Sequence, residues 1–176
     1  PLPPYGACLL GSINMARLVQ NAFEANAGID KEELALLVSA AVRMMDNVVD
    51  VSNFPLPQQQ AEAKNKRRIG LGVTGLASAL AMCKVTYGSE DAVLRTDDWM
   101  ELIDNLAYQA SARIAAEKGS YPLFDVDAVL EEGTHASTLW PETQDLIREH
   151  GLRNALLTSI APTGTISLYA GNVSSG

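Results

Sequence analysis

Three stretches of this sequence combine residue types and spacings that could do chemistry. The first is Ala161-Pro162-Thr163-Gly164-Thr165-Ile166-Ser167. An apolar run ends there, proline fixes one backbone angle, glycine frees another, and hydroxyls stand where a helix is about to begin. A helix start presents unpaired N–H donors and the positive end of its dipole, so such a turn can hold a phosphate or diphosphate without a lysine. The same residues admit a plainer role, in which Thr163 or Thr165 caps the helix. Gly-Lys-Ser/Thr is absent, so the turn is not a Walker A loop. The second stretch surrounds Cys8, in a Pro- and Gly-containing segment at the expected edge of a strand. An accessible redox thiol and an inert one are both compatible with it, since no second cysteine nearby makes a redox motif. The third is Gly70, Gly72 and Gly75, which spell G-x-G-x-x-G, with Glu90 at the distance where a dinucleotide site holds a ribose hydroxyl. That fingerprint needs an apolar strand before its first glycine, whereas Lys66, Arg67 and Arg68 stand there with only Ile69 apolar. A tight turn with close helix packing fits this context better.

Other chemistry is poorly supported. His135 and His150 are isolated, no cluster has metal-ligand spacing, and no serine sits in G-x-S-x-G. Cys83, inside ASALAMCKV, reads as a buried thiol, and Met44, Met45, Met82 and Met100 read as core.

The elements that must position these residues follow from pattern. A loop enters a strand within residues 1–19. Asp30 followed by Glu33 makes a capping box for a helix with Leu34, Leu37, Val38, Ala41, Val42, Met45, Val48 and Val49 at helical spacing. It stops near Ser52, because Pro55 and Pro57 cannot continue it. A polar helix is expected over 58–65, then a short strand, a glycine turn over 70–75 and an apolar helix to Cys83. A strong helix is expected from about Asp97 to Lys118, stopped by Gly119. Short helices follow over 126–132 and 142–150. A buried strand over 155–160, the Ala161–Thr165 turn and a helix from Ile166 to Ala170 complete an α/β pattern with partly parallel strands.

Composition narrows the function classes. Thirteen Lys+Arg against 21 Asp+Glu give a formal charge of −8, and the only basic cluster is Lys64 to Arg68, so a dedicated nucleic-acid binder is excluded. No apolar run reaches the length of a membrane span. With two cysteines the chain is no disulfide scaffold, and a reducing cytoplasm is the expected setting. The opening on Pro1 and the stop after AGNVSSG read as a piece of something longer.

Three stretches in order, LPPYGACLLGSIN, NKRRIGLGVTGLASAL and SIAPTGTISLYAGNVSSG, resemble the large catalytic subunit of ribonucleotide reductase, most closely its adenosylcobalamin-dependent class II members. The resemblance covers essentially the whole chain, and APTGTIS followed by AGNVSSG is its most specific part. It implies that residues 1–176 are one section of a ten-stranded α/β barrel with barrel parts missing at both ends. It also implies that an Asn-Pro-Cys-Gly-Glu finger-loop motif, bearing the thiyl-radical cysteine, stands directly upstream of Pro1. Cys8 then resembles one of two cysteines that form a disulfide as the ribonucleotide loses its 2′-hydroxyl, its partner lying on an earlier strand. Ala161, Pro162, Thr163, Gly164, Thr165, Ile166 and Ser167 resemble the substrate-phosphate loop. Leu9 departs from the family's usual asparagine after the cysteine.

The implied parent is a ribonucleoside-diphosphate reductase acting on ribonucleoside di- or triphosphates, with adenosylcobalamin as cofactor and a thioredoxin- or glutaredoxin-like reductant. The isolated chain is expected to be inactive, and exposed barrel edges make a homodimer an expected assembly. A Rossmann-type oxidoreductase using Gly70 to Gly75 and a non-catalytic nucleotide-binding module remain the alternatives.

Overall fold

The computed structural model describes residues 2–175. Strand β1 (Leu9–Asn14) follows the Pro-rich entry and alternates in its burial. Ile13 is buried, and a Cβ on Gly11 would lie 3.1 Å from the Met45 sulfur, while Leu10 points outward and is 56% exposed. A single 3-10 turn, Met15–Leu18, buries Met15, Ala16 and Leu18. It leads into β2 (Val19–Gln20), which pairs antiparallel with β3 (Gly28–Ile29).

Helix α1 (Lys31–Val51) starts at the expected cap, the Asp30 carboxylate accepting from the N–H groups of Glu32 and Glu33, but the box does not close, because the Asp30 N–H donates to the Leu18 carbonyl at 2.9 Å. Its buried stripe is Leu34, Val38, Val42, Met45 and Val49, with Asp46 among them. Met44 is exposed and not core. Ser52 ends the helix by returning its N–H and hydroxyl to the Val48 carbonyl. Helix α2 (Pro57–Lys66) starts on a proline, where the missing N–H costs nothing. Strand β4 (Ile69–Thr74) then pairs parallel with β1, Leu9 opposite Ile69 through Asn14 opposite Thr74. Parallel neighbours need a long crossover, and α1 with α2 supplies it.

Here the structure corrects the expected glycine turn. Gly70 and Gly72 are inside β4, fully buried, and only Gly75 turns the chain, with φ +76° at the start of α3 (Leu76–Met82). The glycines are required by close approach: a Cβ on Gly72 would lie 2.2 Å from the Ser159 carbonyl oxygen, and one on Gly70 would lie 2.5 Å from Ser159 Oγ. A pyrophosphate has no access to a backbone covered in this way, which removes the Rossmann alternative.

Helix α4 (Glu90–Lys118) starts seven residues before the expected Asp97, because Ser89 caps it by accepting from the Ala92 N–H. Gly119 stops it at φ +82°. The helix over 126–132 shrinks to α5 (Val126–Val129), since Leu130 already leaves helical geometry. A 3-10 turn, His135–Thr138, precedes α6 (Pro141–His150), which Gly151 ends. Residues 155–160 do not form the expected strand. They run parallel to β4 and bridge it only at Leu71–Thr158, with Leu157 buried but Leu156 49% and Ile160 75% exposed. Helix α7 (Gly164–Tyr169) begins two residues earlier than expected.

Helix α1 packs on β1 and α4, and α4 on α6, around one continuous apolar core. Through that core passes a polar staple. Fully buried Asp46 accepts from Arg67 Nη2 at 2.7 Å, Arg67 Nε at 2.9 Å and Asn154 Nδ2 at 3.1 Å, tying α1 to the entrance of β4 and to the segment after α6. Among the described residues the strands make two two-stranded sheets, not a closed barrel. No helix among them is long and apolar enough to cross a membrane.

Candidate functional site

The outward face of β1 runs beneath the Ala161–Ser167 turn. At the far end of the strand, Asn14 Nδ2 donates to the Ala170 carbonyl at 3.0 Å, pinning the end of α7. In the middle, Leu10, Gly11 and Ser12 form one wall of an open cleft of about 360 Å³, and Ala161 to Ile166 form the other. The structure therefore brings the turn and β1 together, a proximity that no spacing in the sequence announced.

The turn is held firmly. Thr163 sits in the left-handed region (φ 48°) at the helix start, an unfavourable place for a β-branched residue. Its hydroxyl does not cap the helix; it donates to the Ser175 carbonyl at 2.8 Å. Ser167 Oγ donates to the Gly164 carbonyl at 2.8 Å. The residues after α7 are tied to the top of β4, where the Gly75 N–H and the Thr74 hydroxyl both donate to the Ser174 carbonyl. Of the hydroxyls in the turn, that of Thr165 is left on the exposed side. The first intrahelical bond of α7 runs from the Ser167 N–H to the Thr163 carbonyl. The N–H groups of Gly164, Thr165 and Ile166 come before it and have no intrahelical acceptor. No side chain caps this end of the helix.

Cys8 stands one residue before β1 begins. Its half-buried thiol lines a separate cavity of about 130 Å³ with Val49, Ser52, Phe54, Ala63 and Arg68, so it does not share the cleft of the turn. Along β1 the Cys8 backbone is two residues from Leu10, about 7 Å. Burial pushes the thiol pKa up, and the Arg68 guanidinium beside it works in the opposite direction without cancelling the effect. Arg68 is itself held by Glu62 at 2.8 Å. Cys83 is buried at the end of α3, and burial raises its thiol as well.

A second polar cluster borders the turn and was missed in the sequence. His135 and Asp104 meet at 2.7 Å, and Thr158 Oγ1 donates to the other Asp104 oxygen at 2.9 Å. The three residues come from a 3-10 turn, α4 and the segment leading into Ala161, so no local pattern links them. Among the described residues no group of three or more His, Cys, Asp or Glu side chains is placed to hold a metal.

The family model described as "Ribonucleotide reductase, barrel domain" matches residues 2–176. A vitamin B12-dependent ribonucleoside-diphosphate reductase of Mycobacterium tuberculosis is 40% identical over 171 residues, covering 97% of this chain and 22% of the relative. The protein of the same name from Thermoplasma acidophilum is 34% identical over 99% of the chain and 20% of its own length. The ribonucleoside-diphosphate reductase subunit alpha of Chlamydia muridarum is 37% identical over 93% of the chain and 17% of its own length. The chain spans about a fifth of the length of the curated relatives it matches. A match over nearly every residue, in order and with the turn seated against β1, settles its kinship: the chain belongs to the ribonucleotide reductase barrel-domain family.

Proposed function

We propose that the chain is a section of a single catalytic α/β barrel in a ribonucleotide reductase, contributing one redox thiol and the substrate-phosphate loop. The observation that carries this reading is the strand β1, which begins one residue after Cys8 and forms, through Leu10 to Ser12, the wall opposite Ala161 to Ile166. A ribonucleotide with its phosphate oxygens on the N–H groups of Gly164 to Ile166 would extend its ribose along β1 toward Cys8. The parallel succession β1, β4 and the segment at Thr158, with helices as crossovers, is the repeating unit from which a ten-stranded barrel would be closed by the remainder of a longer protein.

In the proposed reaction the ribose 2′ C–O bond breaks, its oxygen leaves as water and a C–H bond takes its place at the 2′ carbon. Cys8 and a second thiol outside this chain together give up two electrons and two protons and become a disulfide. An external thioredoxin- or glutaredoxin-like dithiol then reduces that disulfide by exchange. The raised thiol pKa keeps Cys8 protonated until reaction, so that it enters as S–H. The names of the B12-dependent relatives favour adenosylcobalamin as the radical source of the whole enzyme. Free Cys8 and Cys83 suit a reducing cytoplasm. The exposed Leu168 and Tyr169 belong to surface that the remaining barrel, and in the isolated chain a second copy, would cover.

Cys8→Ser in the full-length reductase tests the reading. Turnover with a dithiol reductant should be abolished while ribonucleotide binding persists. Sustained turnover by that variant would reject the redox role.

A further inference from the structure

The segment that delivers the phosphate loop has few apolar anchors. Over residues 155–160, Leu157 is buried, but Leu156 is 49% and Ile160 75% exposed. What fixes the segment is polar. Leu71 gives its N–H to the Leu157 carbonyl at 2.7 Å and accepts the Ser159 N–H at 3.0 Å, which sets the position of the backbone beside β4. The side-chain anchor is Asp104, midway along α4. One of its oxygens accepts from Thr158 at 2.9 Å and the other lies 2.7 Å from His135 Nε2, so both are engaged and the carboxylate cannot swing away. Its side chain is 18% exposed, and the His135 ring is braced by Tyr108, centroids 5.8 Å apart. Thr158 occupies the bridge position opposite Leu71, and the Ser159 carbonyl after it lies over Gly72. Three residues beyond Thr158 the loop begins.

We propose that Asp104 is a positioning residue for the phosphate loop. Through Thr158 it fixes the rotation of the segment over β4, and with it the direction in which the N–H groups of Gly164 to Ile166 face β1. The inference rests on the reading of Ala161–Ser167 as the phosphate site. It adds a residue from α4 that no motif includes, and it gives the His135–Asp104 pair a function.

Steady-state kinetics of the full-length reductase with a ribonucleoside diphosphate test it. Thr158→Val keeps the shape and removes the donor. It should raise KM about 3- to 10-fold, the equivalent of one ordinary hydrogen bond, with kcat nearly unchanged. Thr158→Ser, which restores the hydroxyl, should bring KM back. His135→Gln, at a 58% exposed side chain, is the variant that folds in any event and should raise KM in the same direction by a smaller factor. Gly164→Ala, in the loop itself, separates the two ideas. If Gly164→Ala raises KM while Thr158→Val and His135→Gln leave it unchanged, the loop binds phosphate and the role of Asp104 is overturned. If none of the three moves KM, the phosphate reading fails and the inference falls with it. A loss confined to stability or kcat, or a KM that Thr158→Ser does not rescue, also overturns it.

Discussion

Gly164→Ala is a substitution for which folding and function should part company. The glycine is not in the left-handed region, and a Cβ built on it meets nothing within 4 Å, so alanine enters without strain. In a helix interior the exchange is worth about 0.5–1 kcal/mol in alanine's favour. Here, at the first residue of a six-residue helix, the gain is at the lower end, and the melting temperature should hold or rise slightly. The new methyl projects from a residue that lines the cleft, beside the N–H groups proposed to hold the phosphate. Pushing a phosphate oxygen off one such donor forfeits a hydrogen bond to a charged group, about 1.5–3 kcal/mol, or roughly a 10- to 150-fold rise in KM. The assay is steady-state reduction of a ribonucleoside diphosphate by the full-length enzyme, with inorganic pyrophosphate as competitor. KM and the pyrophosphate inhibition constant should rise together. An unchanged KM in a variant of unchanged melting temperature would refute the argument. Gly72→Ala is the structural counterpart: its Cβ would lie 2.2 Å from the Ser159 carbonyl oxygen, so the segment must move and stability and binding should fall together.

Further expectations follow from the same geometry. Asp46→Ala removes two of the three carboxylate hydrogen bonds of the buried Arg67 guanidinium and leaves it only the Asp50 carboxylate, so it should cost about 3 kcal/mol, the lower end for breaking a buried pair, read as a lower denaturation midpoint in urea. At Asp50, burial pushes the carboxyl pKa up, but hydrogen bonding and charge from Arg67, with Arg153 and Lys64 adding to it, outweigh burial and hold it below its ordinary 3.8. Its folded pKa being the lower one, its contribution is present above pH 3.8 and lost as pH falls further, so Asp50→Asn should flatten the acid limb of a stability profile. Peptide-resolved alkylation of Cys8 should have its midpoint above that of an ordinary thiol, and Arg68→Gln should move it higher still; a midpoint below the ordinary value would contradict the burial argument.

What was legible in the sequence was local. Asp30 with Glu33, and the prolines after Ser52, mark α1 because capping and chain breaking act within a few residues. The same holds for the Gly119 and Gly151 stops and for the turn before α7. What misled was also local. Three spaced glycines look like a turn, yet two of them serve a contact with Ser159, far along the chain, that no window over 70–75 contains. Residues 155–160 look like a strand by their apolar content, yet half of that content faces outward and one bridge remains. At the candidate site, Cys8 and Ala161–Ser167 were singled out by residue type and by family resemblance. Their common relation to β1 was not, and neither was the Asp104 clamp, whose partners stand 31 and 54 residues away.

The measurement that tests the account most directly is a single turnover of the full-length reductase, reduced beforehand and stripped of external dithiol, followed by alkylation and peptide mapping. The account predicts one deoxyribonucleotide formed per disulfide and Cys8 found in that disulfide, with Cys83 still free. Product formed while Cys8 remains fully alkylatable would contradict it.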